Sequence, residues 1–201
     1  MNLDFVFSIA ILIMSVVIHE VSHGYAAYFQ GDKTAEYQGR LTLNPLMHLD
    51  IWGSLLVPII SYSLGGFIIG WAKPVPYNPY NLRNRRWGEA IVAAAGPASN
   101  IVMATIFGLL IRFTGVALPE SFIQIAATAV FINILLAIFN LVPVPPLDGS
   151  KILFSLFPLN MAIRSFFERY GLILVLFFIF FLWQLILPLV GLLFSLITGL
   201  S

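Results

Sequence analysis

His19-Glu20-Val21-Ser22-His23 lies inside an apolar run that begins at Phe5 and ends near Phe29. Residues four apart share one face of a helix, so the two imidazoles point the same way, one turn apart. That spacing offers two nitrogens to a single zinc ion. Glu20 projects from the neighbouring angle, where it can handle a proton from a metal-bound water without ligating. The run is long enough to cross a bilayer, which takes about 20 residues. A carboxylate and two imidazoles in such a segment are costly and carry a functional reading by default. The pair sits roughly 9–15 Å before the end of the run at 1.5 Å per residue, so a metal there lies below the surface, nearer one side.

The remaining composition agrees. Of 201 residues, 60% are hydrophobic and 9% charged, where soluble domains have about a quarter charged. The expected molecule is an all-α polytopic membrane protein forming one domain over 1–201. Its catalytic core covers about 5–149, and an interfacial helix and a last span fill 150–201. A net charge of +1 with no basic patch argues against nucleic acid as a partner. The absence of cysteine excludes thiolate ligands, so a metal must be held by His, Asp or Glu. The N-terminus shows no basic leader or cleavage site, and Phe5 to Phe29 reads as a retained span.

Outward from the first span, Tyr37 to Trp52 reads as a short strand and a turn at the interface, with His48 as a polar interfacial side chain. Leu55 to Trp71 is apolar but interrupted by Pro58, Gly65-Gly66 and Gly70. It is either a second crossing or a re-entrant hairpin with extended backbone near Gly66 to Val75. Arg83, Arg85 and Arg86 form the densest basic cluster and read as cytoplasmic. In the next span, Glu89 to Phe113, Gly96 and Asn100 share a face. They make either a tight helix contact with one hydrogen-bonding residue or, for Asn100, a wall of the metal cavity.

The span from Ser121 to about Val142 ends in Asn140-Leu141-Val142-Pro143-Val144-Pro145-Pro146-Leu147-Asp148-Gly149. Three prolines in four positions cannot continue a helix. Asp148 at the broken end is either a helix cap or a hard anionic ligand that completes a two-histidine site, and the histidine pair upstream favours the ligand. Lys151 to Tyr170 reads as an amphipathic interfacial helix, and Gly171 to about Ile197 as the last span.

If Leu55 to Trp71 crosses fully, the histidine pair and Asp148 lie towards opposite faces and cannot share an ion with bonds of about 2 Å. If it is re-entrant, all three reach one depth. The second arrangement puts Lys33, Arg40, Lys73, Arg83, Arg85, Arg86, Lys151, Arg164 and Arg169 on one side and only Arg112 on the other. By the positive-inside bias the crowded side is cytoplasmic. About four full crossings, an extracytoplasmic N-terminus and a site nearer the cytoplasm follow.

The motifs at 19–23, 96–100 and 140–149, in this order and each in an apolar span, resemble the site-2 protease family of intramembrane zinc metalloproteases. Gly39-Arg40-Leu41-Thr42-Leu43-Asn44-Pro45 and Gly70-Trp71-Ala72-Lys73-Pro74-Val75-Pro76 look like its compact prokaryotic members. The resemblance implies one zinc ion per chain on His19, His23 and Asp148, with Glu20 as the catalytic carboxylate and Asn140 holding substrate or an oxyanion. Asn100, Gly70 and Lys73 are candidate substrate contacts. The implied activity is hydrolysis of peptide bonds within or beside transmembrane segments of membrane-protein or peptide substrates, in the cell membrane. A catalytically inactive zinc-binding scaffold or chaperone on the same fold is the alternative. A transporter, which would show related half-helix repeats, is disfavoured because the sequence contains none.

Overall fold

The computed structural model describes residues 3–57, 59–60, 63, 70–114, 117–157 and 160–200. The chain is helical: α1 (Leu3–Phe29), a short α2 (Thr34–Tyr37), α3 (Gly88–Thr114), α4 (Glu120–Asn140), α5 (Asp148–Leu156), α6 (Met161–Phe177) and α7 (Trp183–Thr198). Single turns at Pro45–His48, Ile51–Leu56 and Pro79–Asn81 lie between α2 and α3, and a wide turn at Phe178–Leu182 joins α6 to α7. Four stretches are long and apolar enough to cross a membrane: Val6–Phe29, Gly88–Thr114, Glu120–Asn140 and Met161–Thr198.

Both sides of these helices are apolar. Val130, Ile134 and Val190 are fully buried, while Leu12, Ile106, Leu109, Leu185 and Leu189 face outward and exposed. Apolar residues all round a helix are what a lipid solvent permits. The protein is a multi-pass membrane protein.

Helix α3 is the hub, packing against α1, α4, α5 and α7. Small buried residues, Gly88, Ala93, Gly96, Ala104 and Gly108, let its neighbours approach. A Cβ added at Gly108 would collide with the Ile197 side chain, and one at Gly171 with the Pro145 carbonyl. The second contact presses α6 onto the proline turn that carries Asp148.

The connection between α1 and α3 departs from the expected strands. No strand is present among the described residues, either near Gly39 to Asn44 or in the described part of the expected extended stretch, 70–75. The reason is where the backbone groups go. Trp71 N–H donates to the Gly53 carbonyl, Lys73 N–H to the His48 carbonyl, and Val75 N–H to the Glu20 carboxylate. Partners scattered over two separate turns and a helix side chain make no ladder. Most of the proposed hairpin itself, 58, 61–62 and 64–69, lies outside the described residues. Its ends do meet: Gly53 and Trp71 are hydrogen-bonded at 3.0 Å, and Ser54 Oγ donates to the Trp71 carbonyl at 3.0 Å.

The stretch expected as one interfacial helix, Lys151 to Tyr170, is two pieces. The Asn160 side chain accepts from Ile163 N–H at 2.9 Å and starts a new helix at Met161. From there the chain continues helically through the wide turn to Thr198. That is 38 residues, or about 57 Å, against a hydrocarbon core of about 30 Å.

Asp32 pins the loop before α3. Gly31, at φ +102°, turns the chain out of α1. The buried Asp32 carboxylate then accepts from Thr34 N–H and Oγ, Asn81 Nδ2 and Asn78 N–H. Burial works against the charged form, but these four donors outweigh it and hold the carboxyl below the usual carboxylate range. A folded-state value below the unfolded one gives stability that is present above about pH 4 and lost as pH falls through the folded value. Acid denaturation of the wild type should therefore show a component that Asp32→Ala lacks, with the variant less stable at neutral pH by about 1–3 kcal/mol. Thermal unfolding in detergent across pH checks both.

Candidate active site

Helix α1 presents His19 and His23 on one face, with their rings 4.7 Å apart. Helix α4 ends at Asn140, the prolines turn the chain, and Asp148 opens α5 with its side chain facing that pair. His19 Nε2 and His23 Nε2 each lie 3.1 Å from Asp148 Oδ2. All three side chains are buried. Gly96 of α3 closes the floor. A Cβ there would stand 2.5 Å from both Nε2 atoms, so only glycine leaves the imidazoles this room.

The hydrogen bonds behind the rings fix what the front can do. His23 Nδ1 lies 2.7 Å from the Val92 carbonyl, which can only accept, so Nδ1 carries the proton. Asn100 Nδ2 donates to Asn133 Oδ1 at 2.9 Å and to the Ser15 carbonyl at 3.4 Å. Its Oδ1 therefore faces His19 Nδ1, at 2.6 Å, and accepts from it. Both Nε2 atoms are then left with bare lone pairs aimed at a carboxylate oxygen. Lone pairs so arranged repel unless a cation lies among them. The donors all fall within 4.8 Å of one another, compatible with the roughly 3.3 Å spacing that a tetrahedral ion with bonds of about 2 Å imposes. The residues fit a zinc ion.

The cleft in front of the triad is lined by Glu20, Pro74, Val75, Tyr77, Asn140, Pro146 and Lys151 besides the three ligand candidates. Glu20 Oε2 accepts from Val75 N–H at 2.9 Å, its only hydrogen bond among the described residues. Asn140 Nδ2 donates to the Leu136 carbonyl at 2.9 Å, one turn back, which leaves its second N–H and its oxygen for the cleft. Lys151 Nζ lies 3.9 Å from Asp148 Oδ1 and 5.4 Å from the Tyr77 ring. Burial first, then the charges of Glu89 and Asp148, push the Tyr77 phenol up to about 12, so it stays a donor at neutral pH.

Three expectations change on this geometry. Asn100 is 0% exposed and spends its amide on His19, Ser15 and Asn133, so it supports the site from behind and has no surface for substrate. Gly70 and Lys73 are exposed but do not line the cleft, because the hydrogen bonds of 71 and 73 turn the chain towards the Gly53 and His48 carbonyls; Pro74, Val75 and Tyr77 stand there instead. His48 is buried, with Nε2 donating to the Thr42 carbonyl at 2.8 Å, and it does not line the cleft. Sequence reading also missed Asn133 and Ser15. Asn133 Nδ2 donates to Ser15 Oγ at 2.9 Å, completing a buried polar chain across α1, α3 and α4. An amide in the middle of the apolar α4 was the available signal.

Membrane-length apolar helices that bring two imidazoles and a carboxylate together beside a glutamate, at a cleft, make the arrangement of a membrane metallopeptidase. The model for "Peptidase family M50" matches residues 7–123 and 108–183. The chain belongs to this family, the site-2 protease family of zinc metalloproteases. It is 38% identical over 173 residues to the candidate zinc metalloprotease YwhC of Bacillus subtilis, covering 82% of this chain and 76% of that one. It is 36% identical over 146 residues to the candidate zinc metalloprotease Rip2 of Mycolicibacterium smegmatis, covering 72% of this chain and 55% of that one. The Mycobacterium tuberculosis Rip2 is 28% identical over 145 residues, with the same coverage. No solved structure gives a significant match.

Loss of the His19 support should be visible as loss of metal. Asn100→Leu is expected to lower zinc affinity about 10- to 100-fold, the usual effect of removing a partner behind a ligand. Competition with a chromogenic chelator on purified protein measures it; unchanged affinity would show that the tautomer is set elsewhere.

Proposed function

We propose that this protein is an intramembrane zinc metalloendopeptidase that hydrolyses peptide bonds within or beside transmembrane segments of other membrane proteins. One observation carries the reading: His19, His23 and Asp148, from helices far apart in sequence, meet within hydrogen-bonding distance at a depth reached by a cleft. One zinc ion per chain, on these three side chains, would supply a Lewis acid that brings the pKa of water towards neutrality.

The chain's own groups supply the rest. Glu20, beside the triad and open to the cleft, accepts the proton of the attacking water and returns it to the leaving amine. The free N–H of Asn140 is placed to donate to the substrate carbonyl oxygen as charge develops there, an interaction typically worth a factor of about 100 to 1000 in rate. The Val92 and Asn100 hydrogen bonds keep both imidazoles in the tautomer that presents Nε2. The substrate must be locally extended, because a helical segment hides its carbonyls and spends its amides internally.

The meeting of Gly53 with Trp71 supports a re-entrant course for the segment between them, since a single crossing of the ~30 Å core would hold its ends apart. With that course, nine of the ten basic residues share one side. The proposed orientation therefore has the N-terminus outside the cell membrane and the site nearer the cytoplasm.

Glu20→Gln should abolish cleavage of a single-span substrate while zinc content stays near one per chain, read by metal analysis beside a cleavage assay. Retained cleavage would remove Glu20 from the mechanism. For orientation, a single cysteine beside Arg85 should stay unlabelled by an impermeant thiol reagent on intact cells and react after permeabilisation. Labelling from outside inverts the topology.

A further inference from the structure

The peptide unit joining Pro74 to Val75 is gripped at both ends. Its N–H donates to Glu20 Oε2 at 2.9 Å, and its carbonyl oxygen accepts from Arg40 Nη2 at 3.3 Å. The same Nη2 donates to the Lys73 carbonyl at 2.9 Å. Arg40 is 5% exposed, and its Nε is buried without a hydrogen-bond partner. It forms no ion pair among the described residues. A guanidinium buried without a carboxylate is costly and calls for a compensating role. The carboxylate it can serve is one peptide unit away. A cation at the carbonyl end of a peptide polarises it and strengthens its N–H as a donor at the other end.

We propose that Arg40 is a positioning residue for Glu20, acting through the 74–75 peptide. With Oε2 committed to an N–H that cannot take a proton, Oε1 is the oxygen left for proton exchange. Arg40 thereby selects which oxygen works and at what angle. The rest of the 71–78 segment has its own supports, the His48 carbonyl at Lys73 N–H and the Asp32 carboxylate at Asn78 N–H. Losing Arg40 frees the Lys73 and Pro74 carbonyls rather than the whole loop.

The inference rests on Glu20 as the proton carrier, so Glu20→Gln is run alongside. On the purified full chain with a single-span substrate, Arg40→Met is expected to lower kcat about 10- to 100-fold, the scale of a misplaced catalytic group. KM should change less than about threefold, zinc content should hold, and Arg40→Lys should recover part of kcat. In a Val75→Pro background, which deletes the N–H, Arg40→Met should add less than about twofold, because both changes act on one unit. A cysteine placed by Pro76→Cys in this cysteine-free chain should react with a thiol reagent several-fold faster once Arg40 is Met, a readout independent of activity. Unchanged kcat, a change in KM alone, full multiplication with Val75→Pro, or unaltered labelling each overturns the proposal. Activity in Glu20→Gln overturns the reading of Glu20 instead. If Arg40→Met does not fold, Arg40→Lys is scored on kcat and labelling alone.

Discussion

The site depends on two hydrogen bonds that lie behind it. The Val92 carbonyl and the Asn100 amide oxygen each take the Nδ1 proton of one histidine. Without them the imidazoles could turn or exchange tautomers, and a metal would face N–H groups instead of lone pairs. Both partners sit on α3, so the position of that helix against α1 sets the chemistry. Pro97 removes an N–H within the same buried stretch of α3 and loosens the ladder near Val92. Gly96 supplies the clearance. The small-residue motif and the zinc motif are two halves of one construction.

Polar groups at this depth are affordable only when fully paired, since lipid offers no substitute for water. The buried run from His19 through Asn100 and Asn133 to Ser15 satisfies that condition, each amide being both donor and acceptor. Polar contacts between membrane helices are individually modest, on average about 0.6 kcal/mol. Their value here is directional. They fix the rotation of α1 about its axis, which an apolar face alone would leave loosely specified.

The elements that periodicity and helix breakers govern were legible in sequence. The spacing of His19 and His23 reads a helix face directly, and Pro143, Pro145 and Pro146 mark the end of α4 without ambiguity. Asp148 as a partner of the pair was foreseeable because a carboxylate at a broken helix end follows a two-histidine motif upstream. The loop between α1 and α3 was not legible as strands. Its backbone donors bond to a side chain and to isolated carbonyls, and residue type carries no sign of such partners. Asn100 was misread in part for a related reason. An amide in a membrane helix announces a buried contact, but not whether it faces the cleft or the back of a ligand. The division of 151–170 at Asn160 follows from a capping residue that the amphipathic pattern overrode.

The polar chain across three helices also bears on how the molecule is made. Asn133 follows Ser15 by 118 positions, and Asp148 follows His19 by 129. A nascent α1 thus enters the bilayer with its imidazoles and hydroxyl unmatched, long before its partners are translated. Hydrolytic competence therefore arrives in one late event, after synthesis has passed α5. Until then a partly made chain holds an incomplete set of metal ligands and no hydrolytic site.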